Sequence, residues 1–135
     1  MSLFLDTSFV QALLNRRDQY HPRAMTMAAR LRTDTIYITE AVITEIGNAL
    51  SASDRAKASA FIRSLYATPN VRVVTVTTEL VQQALALYES RSDKTWGLTD
   101  CISFVVMDQN ALRDALSSDR DFLQAGFRPL LLDQA

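Results

Sequence analysis

Apolar runs of strand length, separated by stretches of helical period, set the strongest constraint on how this chain can fold. Leu3-Phe4-Leu5, Ile36-Tyr37-Ile38 and Ala115-Leu116 carry no charge, and residues 71–76 are rich in valine. A strand that is apolar on both sides has to be covered on both sides, as in a parallel sheet with helices above and below. The stretches between the runs supply those helices. Residues 20–31, for example, place Ala24, Met27, Ala28 and Leu31 at helical spacing. The two patterns alternate along the whole chain, which predicts an α/β sandwich.

Cap and breaker residues mark the element ends. A strand over 3–5 runs into a helix over 8–14. A strand over 36–38 is followed by Thr39, whose hydroxyl suits the N-cap of a helix reaching Leu50. Asp54 suits the same place before a helix over 55–66, which Thr68-Pro69-Asn70 breaks. A strand over 71–76 leads to Thr77 or Thr78, either able to cap a helix reaching Tyr88. A loop over 90–97 precedes a long helix over 99–113 and a fourth strand over 115–118. One helical turn over 121–125, ended by Gly126, leads to a last strand over 129–132. No linker, repeat or low-complexity segment interrupts this order, so residues 1–135 read as one domain of ordinary size for a single core.

Composition narrows the function classes. Apolar residues make up 48% of the chain, with three Gly and three Pro. That balance argues against a disordered chain and against a loop-rich disulfide scaffold. Cys101 is the only cysteine, so no internal disulfide can form, as expected of a protein in a reducing cytoplasm. No apolar run reaches the ~18 residues of a membrane-span candidate. The N-terminus enters Leu3-Phe4-Leu5-Asp6 directly, without the basic and then apolar stretch of a secretion signal. The net charge of −1 differs from the basic balance of most dedicated nucleic-acid binders. Of the 14 basic residues, however, all but Lys57 and Lys94 are Arg, whose planar fork suits phosphate. Codon bias in a GC-rich genome would give the same preference.

In open parallel sheets, sites form outside the carboxyl ends of the strands. Asp6 directly follows the first strand and Asp119 the fourth. Asp100 opens the long helix leading to the fourth strand, where outward-pointing backbone N–H groups favour negative charge. Glu45 lies in the helix after the second strand, among Val42, Ile43, Ile46 and Ala49. Each acid has an ordinary use: Asp6 as a helix cap, Asp100 as a first-turn acid, Asp119 in an Asx turn, Glu45 as a solvated helix acid. Gathered at one edge, they would repel one another unless a cation neutralised them. Carboxylate oxygens suit Mg²⁺ or Mn²⁺. With one His and one Cys in the chain, zinc fits poorly.

At these residues the chain resembles the PIN-domain family, in particular the VapC-type toxins of prokaryotic toxin–antitoxin pairs. The matching pieces are Leu3-Phe4-Leu5-Asp6-Thr7-Ser8, Thr44-Glu45-Ile46, Leu98-Thr99-Asp100-Cys101 and Ser117-Ser118-Asp119-Arg120-Asp121-Phe122, with Gly126-Phe127 near the end. The resemblance covers essentially the whole chain. It implies a three-layer α/β/α sandwich with a parallel sheet of about five strands, and a Mg²⁺- or Mn²⁺-dependent endoribonuclease. Carried over by position, Asp6, Glu45, Asp100 and Asp119 form the catalytic set, with Asp6, Asp100 and Asp119 as metal ligands. Thr7, Ser8 and Ser118 fall on small polar positions whose hydroxyls would hold the carboxylates, or would serve only in local turns and caps. Asp121 competes with Asp119 for the last acidic place; Asp119 is preferred because it comes first after the strand. His21, the only histidine, reads as a cap or surface residue.

The resemblance further implies an RNA substrate, an antitoxin partner and a homodimer. Arg16, Arg17, Arg23, Lys94 and Arg120 are candidates to hold RNA phosphates, against the plainer reading of solvated surface. Three rivals remain at this level. A haloacid-dehalogenase-like phosphatase needs a second Asp two residues after the first, where this chain has Ser8. A DNA flap nuclease needs a larger domain. A catalytically silent PIN-like module binding RNA or protein has no need of all four acids.

Overall fold

The computed structural model describes residues 1–132. Its elements, in chain order, are β1 (Ser2–Leu5), α1 (Thr7–Leu14), α2 (His21–Ala28), β2 (Thr35–Thr39), α3 (Glu40–Leu50), α4 (Arg55–Ala67), β3 (Val71–Val74), α5 (Thr78–Ser90), α6 (Leu98–Gln109), β4 (Asp114–Leu116), α7 (Arg120–Gln124) and β5 (Arg128–Pro129). The five strands form one sheet in the order β3-β2-β1-β4-β5, and each pairing is parallel. The arrangement is the three-layer sandwich expected from strands without a wet face. Leu3, Phe4 and Leu5 of the central strand are all buried.

Local chemistry accounts for the helix starts. Thr39 accepts from Val42 N–H at 3.2 Å, Asp54 from Lys57 N–H at 3.0 Å, and Thr77 from Leu80 N–H at 3.1 Å. These bonds satisfy amide groups that the first helical turn leaves without a partner. Thr77, rather than Thr78, is therefore the cap of α5.

Aromatic packing fixes α6 and α7 against the sheet. Phe104 of α6 meets Trp96 and Phe122 edge-on, each at 5.1 Å between ring centroids, and lies 5.6 Å from Phe127. Each such pair adds about 0.5–1.5 kcal/mol beyond the area it buries. Trp96 Nε1 also donates to Gln124 Oε1 at 3.1 Å, tying the loop before α6 to the end of α7. This cluster sets the distance between the two helices that carry Asp100 and Asp121.

The largest differences from the sequence reading lie in the last third of the chain; before it, the helix read over 20–31 is His21–Ala28 and the strand read over 71–76 pairs only over Val71–Val74. The helix expected over 99–113 stops at Gln109. Ala111 adopts a left-handed φ of 54°, and Leu112 N–H closes the turn on Met107 O at 2.8 Å. A glycine would have announced such an end; an alanine there does not. The fourth strand pairs only over Asp114–Leu116, because residues 117–119 turn away toward α7. The last strand is Arg128–Pro129, not 129–132. Leu130 and Leu131 still donate to Ala115 O and Ser117 O, but Leu132 N–H turns back to Pro129 O.

Candidate active site

The sheet order reverses at β1: β2 lies on one side of it and β4 on the other. Such a switch point opens a crevice at the carboxyl ends of the two strands. Asp6 leaves β1 there and donates its backbone N–H to Leu116 O at 3.1 Å. The pairing of Leu5 with Leu116 places Ser117 beside Asp6.

Asp6 is 5% exposed and is held from one side. Its Oδ2 accepts from Ser8 Oγ at 2.7 Å, from Ser117 Oγ at 2.8 Å and from Ser8 N–H at 3.4 Å. The two hydroxyls are themselves aimed. Ser118 N–H donates to Ser8 Oγ and Asp119 N–H donates to Ser117 Oγ, each at 2.9 Å. A hydroxyl that accepts a backbone N–H keeps its own proton free to donate. The β4–α7 turn thus fixes both serines, and both serines fix one carboxylate oxygen.

The other acids arrive on helix starts. Asp100, in the first turn of α6, accepts from Gly97 N–H at 3.3 Å. Asp119 caps α7 by accepting from Asp121 N–H at 2.9 Å. Carboxylate oxygens of Asp100, Asp119 and Asp121 all lie within 4.8 Å of one another. Glu45, on α3, accepts from the Thr7 hydroxyl. Asp6, Glu45, Asp100 and Asp119 border one cleft of about 260 Å³, together with Thr7, Ser8 and Gln11. The starts of α1, α6 and α7 meet there, and the positive ends of helices favour negative charge.

Shared burial and like charge oppose the ionisation of these carboxylates. Burial pushes Asp6 above its ordinary value; the Ser8 and Ser117 bonds oppose this, and the charge of Asp119 adds to it. Asp100 is pushed up to about 7 by burial, then by Asp119 and Asp6, with Asp121 contributing less. Burial also raises Asp119, and the nearby Asp121 charge adds to this against the backbone bond. The donor set is all oxygen, which fits Mg²⁺ or Mn²⁺ and does not fit a soft or thiophilic metal.

The structure brings Asp6, Glu45, Asp100 and Asp119 to one cleft. Asp121 does not border the cleft but belongs with Asp100 and Asp119 in the tightest carboxylate group, so both candidates for the last acid stand within reach of one ion. Thr7 and Ser8 each hold a carboxylate, those of Glu45 and Asp6. The hydroxyl expected from Ser118 comes instead from Ser117, because the β1–β4 register sets residue 117, not 118, opposite Asp6. Ser118 contributes its backbone N–H. The Ser117-Ser118 doublet at a strand end was the available signal, and only register could choose between its members. His21 Nδ1 lies 2.8 Å from Ala12 O of α1, so its ring ties the two helices together and does not cap α2. Arg23 is partly committed, with Nη2 donating to Leu130 O at 3.1 Å.

Comparison with known proteins agrees with this geometry. The PIN domain family matches residues 3–128. In two strains of Mycobacterium tuberculosis, the 23S rRNA-specific endonuclease VapC20 is 29% identical over 125 residues, spanning 93% of this chain and 95% of the relative. The crystal structure of Mycobacterium tuberculosis VapC20, a Sarcin-Ricin loop cleaving toxin, superimposes with a TM-score of 0.85 at 28% identity, covering 94% of this chain and 97% of that one.

Proposed function

The chain belongs to the PIN-domain family, and from that premise we propose that it is a divalent-metal-dependent endoribonuclease, the toxin of a toxin–antitoxin pair, hydrolysing RNA phosphodiester bonds. The observation that carries this reading is the convergence of Asp6, Glu45, Asp100 and Asp119 on one cleft at the switch point of the sheet. In this reading residues 1–135 act as one nuclease domain. Likeness to a 23S rRNA-specific endonuclease makes ribosomal RNA the first substrate to try.

Asp6, Asp100 and Asp119 would hold the cation, with Asp121 beside them. A bound Mg²⁺ or Mn²⁺ supplies Lewis acidity toward a phosphoryl oxygen and lowers the pKa of a water. The chain's own residues do the rest. Ser8 and Ser117 keep Asp6 Oδ2 engaged, leaving Oδ1 as the oxygen free to bind. Thr7 engages Glu45 Oε1, so Glu45 Oε2 is available to take a proton from the attacking water. The helix starts carrying Asp6, Asp100 and Asp119 offset part of the charge that these acids gather.

The same reading includes cytoplasmic action, a homodimer and an antitoxin partner. Met25 of α2 and Tyr66 of α4 are 50% and 57% exposed, large apolar groups left on the surface for a partner. No helix among the described residues is long and apolar enough to cross a membrane.

Purified protein should cut ribosomal RNA in the presence of Mg²⁺ or Mn²⁺, and EDTA should stop it. Cleavage that persists in EDTA, with contaminating nuclease excluded, would sink the metal-dependent reading. Light scattering at micromolar concentration should report a dimer; a monodisperse monomer argues against that part alone.

A further inference from the structure

The two helices that wall the acidic cleft also wall a second cavity, and the two in series make a trough. Thr7, Ser8 and Gln11 border the cleft from α1. Leu14 and Asn15, at the end of the same helix, border a neighbouring cavity of about 430 Å³. These positions follow one another in steps of three and four residues, so they share one helix face. The opposite wall repeats the pattern. Glu45 and Ala49, one turn apart on α3, border the cleft, and Leu50 and Ser53 border the cavity. From Thr7 to Asn15 the trough is about 12 Å long, at 1.5 Å of rise per residue.

Its charge reverses along that length. The far end is lined by Arg16, Arg17 and Lys57, with Asp54 as its one carboxylate. Lys57 is positioned by two contacts: Nζ donates to Leu14 O at 3.2 Å and lies 3.8 Å from Asp54 Oδ2. Asn15 Oδ1 accepts from Arg17 N–H at 3.0 Å, which orders the turn carrying both arginines. Arg16 and Arg17 are exposed, and among the described residues neither side chain has a partner. Gln11, midway along the wall, likewise has no described partner for its amide.

Resting on the ribonuclease reading, we infer that the α1–α3 trough carries the RNA strand beside the scissile bond, with Arg16, Arg17 and Lys57 gripping its phosphates. A strand entering the acidic end presents further phosphates at regular intervals. At about 3.4 Å of helical rise each, and more when extended, a 12 Å trough spans roughly two to four of them. Guanidinium forks grip phosphate without reading sequence. Gln11 offers both a donor and an acceptor to the ribose 2′-hydroxyl in between.

The test compares Arg16→Gln/Arg17→Gln with Arg32→Gln/Arg113→Gln. The control pair removes the same charge from exposed residues that precede β2 and β4, at the opposite end of the sheet. Binding of a fluorescently labelled single-stranded RNA of mixed sequence is read by anisotropy in EDTA, where no turnover is expected, across a salt series. Cleavage with Mn²⁺ is read separately. The trough variant should bind about tenfold more weakly, and its log–log salt slope should be shallower by about 1.4, the loss of two contacts at 0.7 each. With Mn²⁺ its KM should rise while kcat at saturation stays near the parent's. Equal binding and equal slope in the two double variants would overturn the trough. A parent that binds RNA but never cuts it would overturn the ribonuclease reading and leave the binding arm to decide the trough. A parent that does not bind RNA would overturn both.

Discussion

Asp6 and Asp100 stand at the same edge of the sheet and are both held above the ordinary carboxylate value, yet the fold treats them differently. Asp6 is buried and receives three hydrogen bonds on one oxygen, two of them from hydroxyls that the β4–α7 turn holds in place. Asp100 receives one long bond from Gly97 and faces the charges of Asp119, Asp6 and Asp121. The first acid is built into the sheet. The second is placed on the start of a helix among like charges, with one long bond to hold it. Structural support for the fold and a part in the proposed metal site are separate properties, and substitution can separate them.

The largest effect should be on cleavage, and it should not distinguish the two. Loss of groups that merely support metal ligands costs about 10–100-fold in affinity or activity. Asp6→Ala and Asp100→Ala, which remove proposed ligands, should each lose more than about a hundredfold in kcat/KM. Stability should tell them apart. Asp6→Ala takes the shared acceptor from the Ser8 and Ser117 hydroxyls; these lie 3.1 Å apart, so one can donate to the other and one donor is left unpaired, at about 1–3 kcal/mol. Asp100→Ala strands only the exposed Gly97 N–H and relieves repulsion. In EDTA, urea unfolding should therefore show Asp6→Ala less stable than the parent and Asp100→Ala no less stable. Equal destabilisation of both would erase the contrast.

A smaller and sharper effect concerns the adjacent serines. Ser117→Ala removes a hydroxyl that holds Asp6 and should cost about 10–100-fold in activity. Ser118→Ala keeps the backbone N–H that binds Ser8 Oγ, so cleavage should stay near the parent's. Reversed outcomes would mean that the β1–β4 register is off by one residue.

Those serines also mark where sequence reading stops. The alternation of apolar strands with helical stretches and the caps Thr39 and Asp54 were legible because each rests on a local pattern in the chain. That Asp6, Asp100 and Asp119 border one cleft was legible because strand ends and helix starts converge in a parallel sheet; Glu45, in the middle of α3, reaches it by the length of its side chain. What could not be read depends on register or on an unusual backbone. Ser117 against Ser118 is a matter of which residue faces Asp6 across two strands. The end of α6 rests on Ala111 taking a conformation that alanine rarely adopts. The basic end of the trough needed α1 and α3 side by side, since Arg16 and Lys57 are distant in sequence and Lys57 reaches over to Leu14 O.

The smallest effect is thermodynamic and bears on Asp119, which serves both as the cap of α7 and as a member of the acidic group. Without a cation, Asp100 titrates near 7 rather than 3.8, so between those values the folded protein binds more protons than the unfolded chain. Stability should fall as pH rises across that interval and level off above it. Asp119→Asn keeps an oxygen for the Asp121 N–H, because Asn caps helices about as well as Asp. It also removes the charge that most strongly opposes ionisation of Asp100 after burial itself. In EDTA the variant should melt no lower than the parent, and its decline with pH should be shallower. Mn²⁺ binding only the folded state would stabilise the parent by about 2.7 kcal/mol at a hundred times its Kd, and the variant should gain less. Melts of both proteins from pH 4 to 8, with EDTA and with Mn²⁺, separate the two roles. If Asp119→Asn melts far lower in EDTA yet gains as much from Mn²⁺ as the parent, Asp119 is a turn residue. The cation would then belong to Asp6, Asp100 and Asp121, and Asp121→Asn should lose the Mn²⁺ gain that Asp119→Asn keeps.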